Sequence, residues 1–150
     1  MAKSTQRVEG LRELEKALAE LPKATGKNTL RRVFRNRAKP IADNYRSRVR
    51  VDQGDLRDGI GVSTKLTKRQ RALHRKQGSK AAVEMFIGAP GLPQAITEEF
   101  GTIDQAPHPG LRPAWDAGKQ RLLDAFAKDL WMEIEKSAQR LARKAAKLKV

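Results

Sequence analysis

"EEFGTIDQAPHPGLRPAWDAG", residues 98–118, is the stretch on which the architecture of this chain turns. Two carboxylates and an aromatic side chain run into Gly101 and Thr102, a proline-rich segment follows, and a helical period then begins. Pro113 suits the first turn of a helix, where its missing N–H costs nothing. Beyond it Trp115, Leu122, Phe126, Leu130 and Ile134 recur on one face, which predicts a long amphipathic C-terminal helix. Its end, "RLARKAAKLKV", stays helix-compatible but turns basic from about residue 140 to 150. Glu98 and Glu99 are neighbours, so on a helix they point about 100° apart and do not make a paired-carboxylate acid–base site.

Upstream, "AITEEFG" reads as a short helix after an "APGLPQ" turn. "GVSTKLTK" and "AAVEMFIGA" are rich in β-formers and partly alternate, which predicts a two-stranded hairpin. The polar, basic "RQRALHRKQGSK" between them reads as a long mobile connection. "VDQGDLRDGIGV" is turn-rich; Asp52, Asp55 and Asp58 in it lack the bidentate glutamate of a calcium loop and read as turn formers and caps. From Asn28 to about Val49, apolar residues line one face of a helix and arginines the other, with Pro40 expected to kink or split it near Lys39. The arginine face is either solvated, in contact with a subunit, or a stripe for DNA. A Gly-bearing turn at Ala24–Lys27 precedes it, and Leu11, Leu14, Leu18 and Leu21 mark a first helix from Gly10 to Leu21, ended by Pro22.

The whole is an α+β domain spanning 1–150: two N-terminal helices, a small antiparallel sheet with a long basic hairpin loop, and a long C-terminal helix. At 150 residues one modest core is possible, and 39% hydrophobic with only 5% aromatic residues suits a helix-rich protein with much exposed surface. With no cysteine there is neither a disulfide nor a thiolate metal site. Only His74 and His108 could serve as imidazole ligands; His74 sits in a basic stretch and reads as exposed, His108 between two prolines as a turn residue. No nucleophile motif or phosphate-cradling glycine loop appears, so no enzyme, cofactor or metal is expected. The polar N-terminus is unlike a signal peptide and no run approaches about 18 apolar residues, which points to synthesis in a cytoplasm and no membrane partner.

The net charge of +15 calls for an anionic partner, either nucleic acid or an acidic protein surface. Its densest expression is Lys65, Lys68, Arg69, Arg71, Arg75, Lys76 and Lys80, seven cations with no acidic residue among them. Such a segment neutralises phosphates or meets an acidic protein; without an aromatic stacking platform it would not read sequence. The basic tail reads as a solvated helix end whose cations favour the C-terminal dipole.

The order of "VEGLRELEKALAELP", an internal "AKP", the Gly54-Asp55-Leu56-Arg57 turn with Ile60, "EEFGT" and "PHPGLRPAWDAGK" resembles the tail-completion, or neck, proteins of long-tailed bacteriophages. The resemblance runs from about Val8 to Ala138, and its best motifs are Glu99-Phe100-Gly101-Thr102 and Leu111-Arg112-Pro113-Ala114. The chain departs from the pattern in lacking a Pro and a Thr-Gly pair before Leu56-Arg57, and in the length and charge of the 65–80 segment.

The resemblance implies a non-catalytic virion protein at the head–tail junction, made in the host bacterium. It would complete the head-proximal end of the tail and join it to the DNA-filled head. Its partners would be its own copies in a ring, by six-fold symmetry a hexamer, together with connector or stopper, tail-terminator and tail-tube proteins. A closed ring needs heterologous contacts. Within that frame Glu98, Glu99, Phe100, Gly101, Thr102, Leu111, Arg112 and Pro113 form an architectural clasp at a subunit or partner interface. Phe100 packs in the core, Gly101 takes a backbone angle other residues resist, and Arg112 pairs with Glu98 or Glu99 in the same or the next subunit; the alternative is a structural turn with Arg112 merely solvated. The alternatives are a tail terminator that stops tube growth and a non-specific nucleic-acid-binding protein.

Overall fold

A computed structural model describes residues 11–76 and 83–148. Its elements are α1 (Leu11–Ala19), α2 (Lys23–Arg48), α3 (Asp55–Gly59), β1 (Gly61–Ser63), α4 (Lys68–Lys76), β2 (Phe86–Gly88), α5 (Gln94–Phe100) and α6 (Leu111–Leu148). The α+β architecture with a long C-terminal helix is as the sequence predicts.

The frame is an antiparallel pair, α2 against α6. Thr29 meets Ser137, Arg32 meets Glu133, Arg37 meets Asp129 and Phe34 stacks on Phe126, so one chain direction rises as the other falls. Near the far end Gly110 lies under the Tyr45 ring and Gly118 under Ile41. The buried positions of α2, among them Thr29, Val33, Ala38, Ile41, Ala42 and Tyr45, recur about once per helical turn and make one stripe. Each large apolar side chain buried there contributes about 1.5–3 kcal/mol.

The stripe feeds two clusters. Toward the N-terminus of α2, Leu14 and Leu21 close over Val33, Leu130 and Ile134. Toward its C-terminus, Ile41, Ala42, Tyr45 and Val49 pack with Leu56, Ile60, Ala89 and Ala114. The sheet sits on this second cluster, with Val62 opposite Ile87 in a register that pairs Gly61 with Gly88 and Ser63 with Phe86.

Four expectations need correction. The Ala24–Lys27 turn is already the first turn of α2, where Gly26 lets Leu18 approach. Pro40 does not split that helix: it stands on the exposed face, where water can reach the Asn36 carbonyl that loses its donor. The turn-rich segment holds a short helix, α3, entered through Gly54 at φ +90°. Most of the basic connection is helix as well: residues 68–76 form α4, opened by a reciprocal cap in which Thr67 Oγ1 accepts from the Gln70 N–H and Gln70 Oε1 accepts from the Thr67 N–H.

Candidate functional site

The segment from Glu98 to Arg112 is a clasp, but its chemistry is the reverse of the one expected from Arg112. Glu99 reaches from α5 to the start of α6 and accepts the backbone N–H groups of Gly110 and Leu111 at Oε2, both at 2.9 Å, and of Arg112 at Oε1, at 3.0 Å. A helix begins with N–H groups that have no partner within it and with the positive end of its dipole. α6 has no acidic residue in its own first turn, and Glu99 supplies both the acceptors and the charge from another element. Burial works to raise the Glu99 carboxyl, but the three N–H donors and the Arg112 charge outweigh it and hold it below the ordinary carboxylate range.

Glu98 ties the rest of the loop. Its Oε2 lies 3.1 Å from Arg50 Nε and 3.8 Å from His108 Nδ1, its Oε1 accepts from Gln105 Nε2, and its carbonyl accepts the His108 N–H at 2.7 Å. Arg112 makes no ion pair among the described residues; the basic partner of the clasp is Arg50, just beyond the end of α2. Below the clasp Tyr45 is buried, and that burial, with the charges of Glu99 and Glu98 behind it, pushes its hydroxyl up.

Gly101 is required where it stands. Its φ of +76° with ψ of −178° is a region that belongs almost to glycine alone. A Cβ there would also meet Gln105 O at 2.7 Å and Pro107 N at 2.9 Å. The glycine turns the chain into a loop closed by the Thr102 N–H on the Gln105 carbonyl.

Phe100 does not enter the core. It is 69% exposed; Ile96, one turn earlier on the same short helix, is exposed as well and Ile103 just after it is fully exposed, so three large apolar side chains stand on the outside of the clasp. Position in sequence suggested a core role for Phe100; the in-facing residues of α5 are instead Ala95 and the two glutamates, so the aromatic ring is left outside. A second apolar feature is a groove of about 510 Å³ between α2, β2 and α6, with Phe34, Phe86, Leu111 and Leu122 along it and Trp115, 45% exposed, at its edge.

The predicted cationic segment is distributed over three settings. Lys68, Arg69, Arg71, Arg75 and Lys76 are exposed on α4, Lys65 precedes it, and Lys80 lies outside the described residues. His74 is not free: its Nε2 lies 2.7 Å from Glu84 and its ring meets Phe86 edge-on at 5.4 Å. That carboxylate comes from ten residues downstream, which local inspection of a basic stretch does not find.

The arginine face of α2 is largely spent within the chain. Arg32 and Arg37 pair with Glu133 and Asp129 of α6, Arg46 with Asp43 and the Ile60 carbonyl, Arg48 with Asn44 and Arg50 with Glu98. Part of the face is therefore a seam with α6, while Arg31, Arg35 and Lys39 stay exposed and make no ion pair among the described residues. No described helix is long and apolar enough to cross a membrane.

A family model described as "Bacteriophage HK97-gp10, putative tail-component" matches residues 12–101, more than half of the chain. The match runs from α1 through Gly101 at the end of α5, and so includes Glu98, Glu99 and Phe100 but stops short of Leu111-Arg112-Pro113-Ala114 and all of α6. No curated protein and no solved structure matches the chain. The chain belongs to the HK97-gp10-like family of bacteriophage tail components.

Proposed function

We propose that this tail component works at the head-proximal end of the tail, in the neck of the virion, as a ring that completes the tail and joins it to the DNA-filled head. The observation that carries the reading is the exposed apolar edge of Ile96, Phe100 and Ile103, held in place by a clasp that anchors α5 to the start of α6. A monomer gains nothing by holding such an edge in water, and an assembling subunit gains an anchor.

The apolar edge of one copy enters the apolar groove beside Trp115 of the next. Two different patches meet, so the contact is heterologous, the kind that a closed ring requires, and the resemblance to neck proteins makes six the expected number of copies. The remaining faces of the ring meet connector, terminator and tail-tube proteins. Tail termination is the competing role for the same ring.

Electron microscopy of lysates from a phage lacking this gene tests the proposal. Filled heads beside separate tails of normal length are expected. Overlong tails would transfer the assignment to a terminator, and normal joined virions would refute a neck role.

A further inference from the structure

We propose that the outward half of α4 is a docking site for the phosphate backbone of duplex DNA, bound without regard to sequence. At about 100° per residue, Lys68, Arg69, Arg71, Arg75 and Lys76 fall within an arc of about 160°. His74, the residue that fastens the helix to Glu84 and Phe86, lies on the other side. The helix is thus capped at one end by Thr67 and Gln70, pinned by His74, and turned with its cations outward. None of the five makes an ion pair among the described residues; Arg71 alone spends one N–H, on the Leu66 carbonyl at 3.4 Å. On α2, by contrast, Arg32, Arg37 and Arg46 are each paired with a carboxylate of the chain.

The composition of the face selects the partner. Protein interfaces centre on buried aromatic or aliphatic anchors and are depleted of charge at their core. The outward arc of α4 holds one small apolar residue, Ala72, and no aromatic; Leu73 lies at its margin. Interfaces with DNA are more cationic and draw much of their affinity from phosphate contact. With neither asparagine nor glutamine in the arc, the face has no side chain suited to reading adenine edges, and the contact follows the backbone. The site does not depend on ring formation.

The test is anisotropy titration of a labelled duplex of random sequence with the full chain over a series of sodium chloride concentrations. Two variants carry equal charge changes: K68Q/R69Q/R71Q/R75Q/K76Q on α4, and R121Q/K128Q/R143Q/K144Q/K147Q on exposed α6 positions. The α4 variant should lose about four to five units from the slope of log affinity against log salt, near 0.9 per phosphate contact, and the α6 variant about one unit or less. The graded pairs K68Q/R71Q and R69Q/K76Q should each lose about two units, which keeps the test decisive if the fivefold variant does not fold. Equal losses in the two fivefold variants would overturn the proposal in favour of diffuse charge. An unchanged slope in the α4 variants would overturn it outright. Binding of polyglutamate through α4 with no binding of the duplex would overturn it in favour of an acidic protein partner.

Discussion

Glu99 shows how one side chain decides the geometry of two elements. A carboxylate that accepts three backbone N–H groups fixes the start of α6 relative to α5, and through Gly110 and Tyr45 relative to α2 as well. In Glu99→Gln one acceptor oxygen becomes an N–H₂ group facing N–H donors. Hydrogen bonds to a charged group are worth about 1.5–3 kcal/mol, so the variant should be destabilised by roughly that amount at neutral pH. The sign with pH follows from the carboxyl being held low in the folded state. Its contribution is fully present above the unfolded carboxylate pKa, about 4.3, and is lost as pH falls through the lower folded value. The gap in urea midpoint between the native chain and Glu99→Gln should therefore be widest near neutrality and close below about pH 4. A gap that stays constant into acid would show that Glu99 acts by shape and not by charge. Asp129, held low chiefly by its hydrogen bond with Arg37, and Glu133, where Arg32 and Lys136 overcome burial, follow the same sign, so both chains lose stability in acid and only the difference reports Glu99.

At the scale of elements the α2–α6 seam is the controlling contact, and Gly118 is its tightest point. A Cβ at that position would stand 2.4 Å from Ile41 Cγ1, an atom that cannot swing away because Ile41 is buried. Gly→Ala in a helix interior normally gains about 1 kcal/mol, whereas overpacking costs about 1–3 kcal/mol, so Gly118→Ala should be a net loss of up to about 2 kcal/mol by thermal or urea unfolding. Paired with Ile41→Ala it should cost clearly less than the sum of the single changes, and strict additivity would refute the close contact. The two faces of this seam were legible in advance, though not their pairing: the three-and-four spacing of Phe34, Ala38, Ile41 and Tyr45 on one side and of Leu130 and Ile134 on the other is a local signal. The partners of charged groups were not. Arg32 finds Glu133 and Arg50 finds Glu98 across large separations in sequence, so cations that look free in one segment are paired by another. α4 was hidden for a different reason. Its cations and lack of an apolar stripe read as loop, although Thr67 and Gln70 carried the capping signal. Phe100 was misplaced because an aromatic residue beside a strained glycine reads as core, while the in-facing work at that point falls to two carboxylates.

The molecule carries two apolar features, the outer side of α5 and the groove beside Trp115, and its self-association has to overcome a net charge of +15 per copy. That repulsion is screened within about 10 Å at 0.1 M salt, so the ring contact should strengthen as salt rises, opposite to binding of DNA. If the apolar edge of one copy seats in the groove of the next, the two patches are separable by mutation. Phe100→Asp with Ile103→Asp alters exposed side chains and should change monomer stability by no more than about 0.5 kcal/mol while abolishing oligomers in sedimentation velocity. Trp115→Asp should abolish oligomers from the groove side, with some loss of monomer stability because that ring is more than half buried. Neither variant alone can then associate, but a mixture retains one intact edge and one intact groove on different chains, and should form a dimer and nothing larger. A contact between identical patches would give no such rescue, and failure of the mixture to dimerise would exclude the edge-in-groove arrangement while leaving the phosphate-docking role of α4 to its own test.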